Sequence, residues 1–195
     1  MKAFKMFNKD MTCTKGKGVF RYEIGKTYTE DEANCAKNGF HCAENPLDCL
    51  NYYDSFENSV CCEVEAGGSI DEDSRDSKIS CTEITIGRRL SLEAFVIQAA
   101  IYIQTHPKMP RHRRVRTRPS GVTEDHFVIV CCQKPAAKGQ IGDVICCIEE
   151  DDFEWDGKKS KTIRHIGVFT IDGDAWKPDT WYGCKGEEVA VDEES

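Results

Sequence analysis

Apolar positions recur in short alternating runs over most of the chain, with one longer stretch at helical spacing. Phe4 and Phe7 open a strand-like segment, a Lys- and Gly-rich turn follows at Lys15 to Gly18, and VFRYEIGKTY reads as a strand ending at Gly25, which predicts a hairpin. Thr29 is placed to start a short acidic helix, because Glu30, Asp31 and Glu32 would sit where the helix dipole favours negative charge; Asn38-Gly39 would end it. In FHCAENPLDCLNYY, Asn45 is a suitable N-cap and Pro46 falls at the first helical position, where a missing amide costs nothing. Leu47, Leu50 and Tyr53 then share one face. VCCEVEA reads as a strand, GGSIDEDSRDS as a polar loop and KISCTEITIG as the next strand. Ser91 caps the strongest helix, in which Leu92, Phe95, Val96, Ala99 and Ile103 repeat at helical spacing while Ile97 and Ile101 extend the apolar surface to the other side.

Three prolines and a crowd of arginines break the pattern between His106 and Thr123, as in a loop or linker. Beyond it the strands HFVIVCCQ, DVICCIEE, RHIGVFTID and a pair around TWYG and EEVAVD are joined by turns at Asp156-Gly157, Asp172-Gly173 and Lys185-Gly186. Trp176, Trp181 and Tyr182 are expected to pack near the end, around a Lys177-Pro178-Asp179 turn, and the closing DEES to fray. The expected fold class is α+β, with short N-terminal strands and helices packed with a C-terminal antiparallel β-sheet. The parts are an N-terminal α+β region 1–105, a basic linker loop 106–123 and a C-terminal antiparallel β region 124–195, forming one compact unit or two.

A chain of 195 residues with 39% hydrophobic residues can bury a core. No segment approaches the roughly 20 apolar residues that span a bilayer, and no apolar stretch follows the lysines of MKAFKMFNKD. The expectation is a cytoplasmic protein with no membrane partner. Twelve cysteines do not imply a disulfide scaffold in such a chain. The pairs Cys61-Cys62, Cys131-Cys132 and Cys146-Cys147 lie in apolar strands, where neighbours point to opposite faces, so they read as reduced core residues. Cys35, His41, Cys42 and Cys49 are the candidates for zinc, but their spacing exceeds the two to four residues between paired ligands of structural sites, so no metal or other cofactor is expected.

Charge changes the picture more than composition does. The net charge is −8, yet Lys108, Arg111, Arg113, Arg114, Arg116 and Arg118 lie together with no acid among them. These six cations form a candidate nucleic-acid or partner-binding segment. No aromatic interleaves the arginines to stack on bases, and the acidic remainder would repel a long duplex. Acidic density is highest at Glu149, Glu150, Asp151, Asp152 and Glu154, a candidate partner-binding surface, with further acids at Glu187 to Glu188 and Asp192 to Glu194.

The ordered segments MKAFKMFNKDMTC, YEIGKTY, GFHCAENPLDCLNYY, DSKIS with IGRRLSL, KGQIGDV and IDGDAWKPDTWY resemble an uncharacterised protein family of bacteriophages, prophages and Firmicutes genomes. The resemblance runs from residue 1 to about residue 190. Members of that family usually carry Gly where Met6 stands, and many have a long run of short Ala-Ser-Thr-Gly repeats where this chain has its basic segment. The resemblance implies a mobile-element setting and no established chemistry.

For catalysis, the GFHC strand, the NPLDCLNYY helix and the Glu63-Val64-Glu65 strand are loosely similar to ADP-ribosyltransferases, which would make the protein an enzyme acting on a nucleotide or NAD-type substrate. Those enzymes need Arg-Gly or His-Gly near the first strand; here the pair is Lys5-Met6. Glu63 and Glu65 otherwise read as the solvent face of a half-buried strand. His41 reads as a structural residue, no phosphate-binding glycine loop is present, and Asp71 to Asp76 departs from a calcium loop at Arg75 and Asp76. No catalytic set is therefore expected. The function expected from these features is a phage protein that binds and stoichiometrically inhibits a host defence nuclease, in its most concrete form an anti-CRISPR protein, with guide RNA or DNA touched through the basic segment. A structural or virion-associated role is the third reading.

Overall fold

Alternation of apolar residues governs both halves of the protein. The computed structural model describes residues 1–191 except 17, 36 and 73–75, and leaves out the side chains of 15, 16, 155, 158 and 159. The Asp71 to Asp76 loop centre and the acids Asp192 to Glu194 thus lie outside the described residues. The chain divides into two units, Met1–Ser91 and Leu92–Ser195. Among the described residues 47% lie in strands and 11% in helices. This mostly-β composition overturns the expected α+β class.

The first unit contains β1 (Lys2–Asn8), β2 (Thr12–Gly16), β3 (Gly18–Arg21), β4 (Thr27–Thr29), β5 (Phe40–Ala43), a 3-10 helix (Pro46–Asn51), β6 (Ser59–Glu72) and β7 (Lys78–Arg89). β1 pairs with β6, β6 with β7, β7 with β5 and β5 with β1, all antiparallel, closing a four-stranded barrel to which β4 adds along β7. Closure removes the exposed edges that a small open sheet would present. Phe7, Val60, Cys62, Val64, Ala66, Ile79, Cys81, Ile84 and Ile86 share its core. The inward parity of β7 switches between Cys81 and Ile84, opposite a register shift in β6 between Gly67 and Ile70. Such a bulge bends a strand and lets few strands close.

One seam of the barrel is thin. β1 meets β5 through the single pair Phe4↔Ala43, against seven pairs with β6. The buried Lys5 bridges that seam by donating from Nζ to the His41 carbonyl at 2.7 Å, with its ammonium 5.5 and 5.4 Å from the Phe7 and Tyr22 ring centres. Phe4 and Met6, on the other face of β1, are buried as well.

Asn45 does cap the segment after it, accepting from the Leu47 amide at 3.1 Å, but a short 3-10 helix forms there and no α-helix. Buried Asp48 accepts from the Ser77 amide (2.9 Å) and hydroxyl (2.7 Å), and the same hydroxyl accepts from the Asn45 amide (2.8 Å). The NPLD segment therefore clamps the start of β7. The helix expected at Thr29 does not form; Glu30 instead donates its amide to Thr82 O and Cys35 its amide to Asp71, so tertiary bonds displace the local preference. The expected GGSIDEDSRDS loop is shorter than predicted, because β6 continues through Gly67 to Glu72.

The second unit contains α1 (Leu92–Thr105), β8 (Val115–Arg116), β9 (Ser120–Val122), β10 (Phe127–Cys132), β11 (Ala136–Lys138), β12 (Val144–Trp155) and β13 (Lys158–Thr170). Its main sheet runs β13-β12-β10-β8, with β10 parallel to both β12 and β8 and only β12–β13 antiparallel. The expected antiparallel C-terminal sheet is thus a mixed one. FVIVCC and VICCI are buried on both faces, as parallel strands usually are. One face meets α1, where Phe95 stands edge-on to Phe127 at 5.9 Å. The other packs Val128, Val130, Ile145 and Cys147 with Ala137, Ile171 and Tyr182. β9 and β11 form a separate parallel pair. TWYG and EEVAVD contribute only isolated bridges through Tyr182.

All twelve cysteines are free; eight are buried and Cys13, Cys35, Cys132 and Cys184 are partly exposed. Burial pushes the thiols of Cys49 and Cys184 up to about 12. Maleimide labelling of the native protein is expected to modify at most those four, and all twelve in denaturant; rapid native labelling of Cys61 or Cys146 would contradict the fold. Gly167 on β13 lies where a Cβ would come 2.1 Å from the Cys184 carbonyl. Gly167→Ala is expected to cost about 1–3 kcal/mol in urea denaturation, and an unchanged midpoint would show that the 182–189 segment does not rest on β13.

Candidate partner-binding cleft

The basic segment is bound into the second unit rather than left loose. Arg111 donates to Glu150, whose other oxygen accepts from Lys161 Nζ at 2.6 Å. Glu150 is 4% exposed, and the Arg111 side chain is largely covered. Arg114 pairs with Asp125 at 2.9 Å and lies 5.3 Å from the Phe127 ring centre; Arg116 pairs with Glu124. Val115 and Arg116 form β8, in register with Ile129 and Val130. Lys108, Arg113 and Arg118 are exposed, so three of the six expected binding cations serve the fold and three face solvent.

The acidic run is divided in the same way. Glu149 faces His165 at 2.7 Å, Glu150 is interior, and Asp151 pairs with Arg164 across β13; Asp152 and Glu154 are exposed. The two expected interaction surfaces thus meet each other at Arg111 and Glu150. Burial alone would raise the Glu150 carboxyl, but Lys161 and Arg111 outweigh it and hold it below the usual carboxylate range.

A cleft of about 1160 Å³ opens on this unit, walled by Arg116, the run from Arg118 to Glu124, Gln133 to Ala136, Glu149 and residues between Trp181 and Val191. Val122, Pro135, Trp181 and Val189 supply apolar surface, and the exposed Arg118, Lys134 and Lys185 supply positive charge. Its three carboxylates are already engaged: Glu124 by Arg116, Glu149 by His165, and Glu187 by the Lys185 amide at 2.9 Å. A backbone amide does not cancel the charge of Glu187, so the four cations Arg116, Arg118, Lys134 and Lys185 leave a small positive excess over the three carboxylates.

Thr123 connects the cleft wall to a buried carboxylate behind it. Asp143, in KGQIGDV, accepts from the Thr123 hydroxyl, from His126 Nδ1 at 2.9 Å and from the Gln140 amide at 2.9 Å. Burial would raise this carboxyl, and those three donors together bring it below the usual range. His126 and Asp125 form a tight turn with φ of 65° and 56°, a left-handed geometry costly for such residues. Lys134, Trp181, Lys185 and Asp143 were not singled out from sequence as site residues. They come from segments far apart in the chain, and the glycines of KGQIGDV are the one local signal that could have drawn attention to Asp143.

The first unit assembles less. Glu63 is gripped by Arg88 through two 3.0 Å bonds and by Lys2 at 3.2 Å; Arg88 foremost holds its carboxyl below the usual range, and Glu65 is exposed. Cys35 Sγ points to the Asp71 carbonyl, Cys49 Sγ to that of Phe4, and Cys42 lies in the barrel core. Among the described residues no three His, Cys, Asp or Glu side chains gather as a metal site would require. Burial, and then Lys5 and Lys78, disfavour protonation of His41.

Glu150→Gln is expected to cost about 1–3 kcal/mol, because the largely covered Arg111 loses its charged partner while the half-exposed Lys161 turns to water. Glu150 and Asp143 both have lowered folded pKa values, so their stabilisation is full above the unfolded value near 4 and is lost as pH falls through the lower folded values. Urea denaturation between about pH 7 and pH 2 should show a steeper acid loss for the wild type than for Glu150→Gln; parallel curves would remove Glu150 from the acid limb.

No helix of the described residues is long and apolar enough to cross a membrane. No curated protein and no solved structure matches the chain. A family pattern does match, over residues 1–98, which takes in the whole barrel unit and the first half of α1. On that match across half its length, the chain belongs to the family described as a domain of unknown function, DUF7666.

Proposed function

We propose that this is a non-enzymatic binding protein that holds a partner macromolecule in the C-terminal cleft. The observation that carries the reading is the cleft's excess of cations, Arg116, Arg118, Lys134 and Lys185 against Glu124, Glu149 and Glu187, of which Arg118, Lys134 and Lys185 are exposed and stand outside the ion pairs described above. The engaged state of Glu63 also speaks against a glutamate positioned for nucleotide chemistry. The motif resemblance to a phage and prophage family motivates the partner class: a host defence nuclease in the bacterial cytoplasm, most concretely a CRISPR effector inhibited stoichiometrically. In this form the acidic run is not the main docking face, because Glu149, Glu150 and Asp151 are already paired. Any contact with guide RNA or DNA would fall to Lys108, Arg113 and Arg118.

The test is DNA interference in bacteria carrying an active CRISPR effector, with wild type and the double charge reversal Arg118→Glu, Lys134→Glu. Both sites are exposed, so the fold should survive. Loss of interference with the wild type and its recovery with the double variant is the expected result. Interference untouched by the wild type would overturn the anti-CRISPR form, and equal inhibition by both proteins would overturn the cleft.

A further inference from the structure

We infer that the cleft takes an extended acidic segment of a protein partner, added as a new strand to the outer edge of β9. This rests on the binding reading of the cleft and specifies what enters it.

The backbone of β9 carries the inference. Pro119 O accepts from the Ala136 amide at 2.8 Å and the Thr123 amide donates to Lys138 O at 3.1 Å, both toward β11. Bonding direction alternates along a strand, so residues 119, 121 and 123 face β11, while Ser120 and Val122 turn their amides and carbonyls the opposite way. Among the described residues no strand pairs on that side, and Ser120 to Thr123 line the cleft. Unpaired N–H and C=O groups on such an edge are a template for another chain.

Packing fixes how the edge is presented. A Cβ on Gly121 would lie 2.8 Å from both Val128 and Val130, so β9 is pressed against β10 at that residue. The side chain of Val122 stands on the other face and is half exposed. An incoming strand that alternates apolar and acidic residues matches both parts of the site. Its apolar side chains meet Val122 and Trp181, and its carboxylates meet Arg118, Lys134 and Lys185. Single-stranded nucleic acid fits less well, since it has no alternating row of amides and carbonyls to pair with the β9 edge and the Trp181 ring is already covered by Lys138 Nζ at 4.5 Å from its centre.

The probe is a fluorescein-labelled decapeptide alternating valine and glutamate, followed by fluorescence anisotropy at physiological salt. Saturable binding is expected, weakened at least tenfold when alternate peptide amides are N-methylated and at least tenfold by Arg118→Glu with Lys134→Glu. Absence of saturable binding, equal binding of a valine-lysine decapeptide, or displacement of the probe by oligothymidine that itself binds more tightly would each overturn the acidic-strand assignment. Sensitivity to charge reversal without sensitivity to N-methylation would overturn strand addition and leave the cleft as the binding surface. Insensitivity to both would overturn strand addition and the cleft together.

Discussion

The carboxylate of Glu150, buried between Arg111 and Lys161, is the interaction on which the second unit is organised. A segment with three prolines and five arginines has no helix or strand preference of its own. Burying a charge is costly unless it is paired, so once β12 carries Glu150 inward, a cation must follow. Arg111 satisfies that demand and brings the chain to the sheet. Arg114 and Arg116 then find Asp125 and Glu124, Val115 joins β10, and β9 and Arg118 arrive at the cleft. Positive charge that reads as a binding motif is in half of its positions the means of folding the binding site.

The first unit solves a different problem, closing a barrel with only four strands. β6 and β7 are long enough to bend around bulges, whereas β5 is short and meets β1 at one pair. The long reach of Lys5 supplies a bond across that gap while its charge rests against aromatic faces. Asp48, Ser77 and Asn45 fasten the chain just outside the same region. The motif segments that carried the family resemblance, KAFK, NPLD and DSKIS, are therefore occupied with closure.

Legibility followed locality. β1, the Asn45 cap, α1 and the β12–β13 hairpin with its Asp156-Gly157 turn depend on neighbours in sequence, and their alternation, capping residues and turns marked them in advance. The Thr29 helix and the long 67–77 loop were misread because Thr82, Asp71 and β7 decide those segments from a distance. Parallel pairing of β10 with β12 was misread as antiparallel, although the unbroken apolar runs differ from the half-buried alternation of an antiparallel sheet and could have marked it. The basic residues were found by counting charge. Counting did not reveal which of them would be neutralised, because Glu150, Asp125 and Glu124 become partners only when the sheet forms. Lys134, Trp181 and Lys185 could not be grouped at all without the fold.

Family membership and proposed function reside in different parts of the chain. The matched residues 1–98 enclose the barrel, while every residue lining the cleft lies beyond them. The net charge of −8 adds a constraint on what can reach that cleft. Beyond roughly 8 Å at physiological salt the cleft's cations are screened, and the protein as a whole repels acidic bodies. An acidic strand is therefore best delivered by a partner whose own net charge is positive, attracted at long range as a body and recognised at contact through a short negative segment. Proteins that handle nucleic acid commonly have that charge distribution. On the proposed reading, the global charge and the local cleft then favour the same class of partner by two separate physical routes.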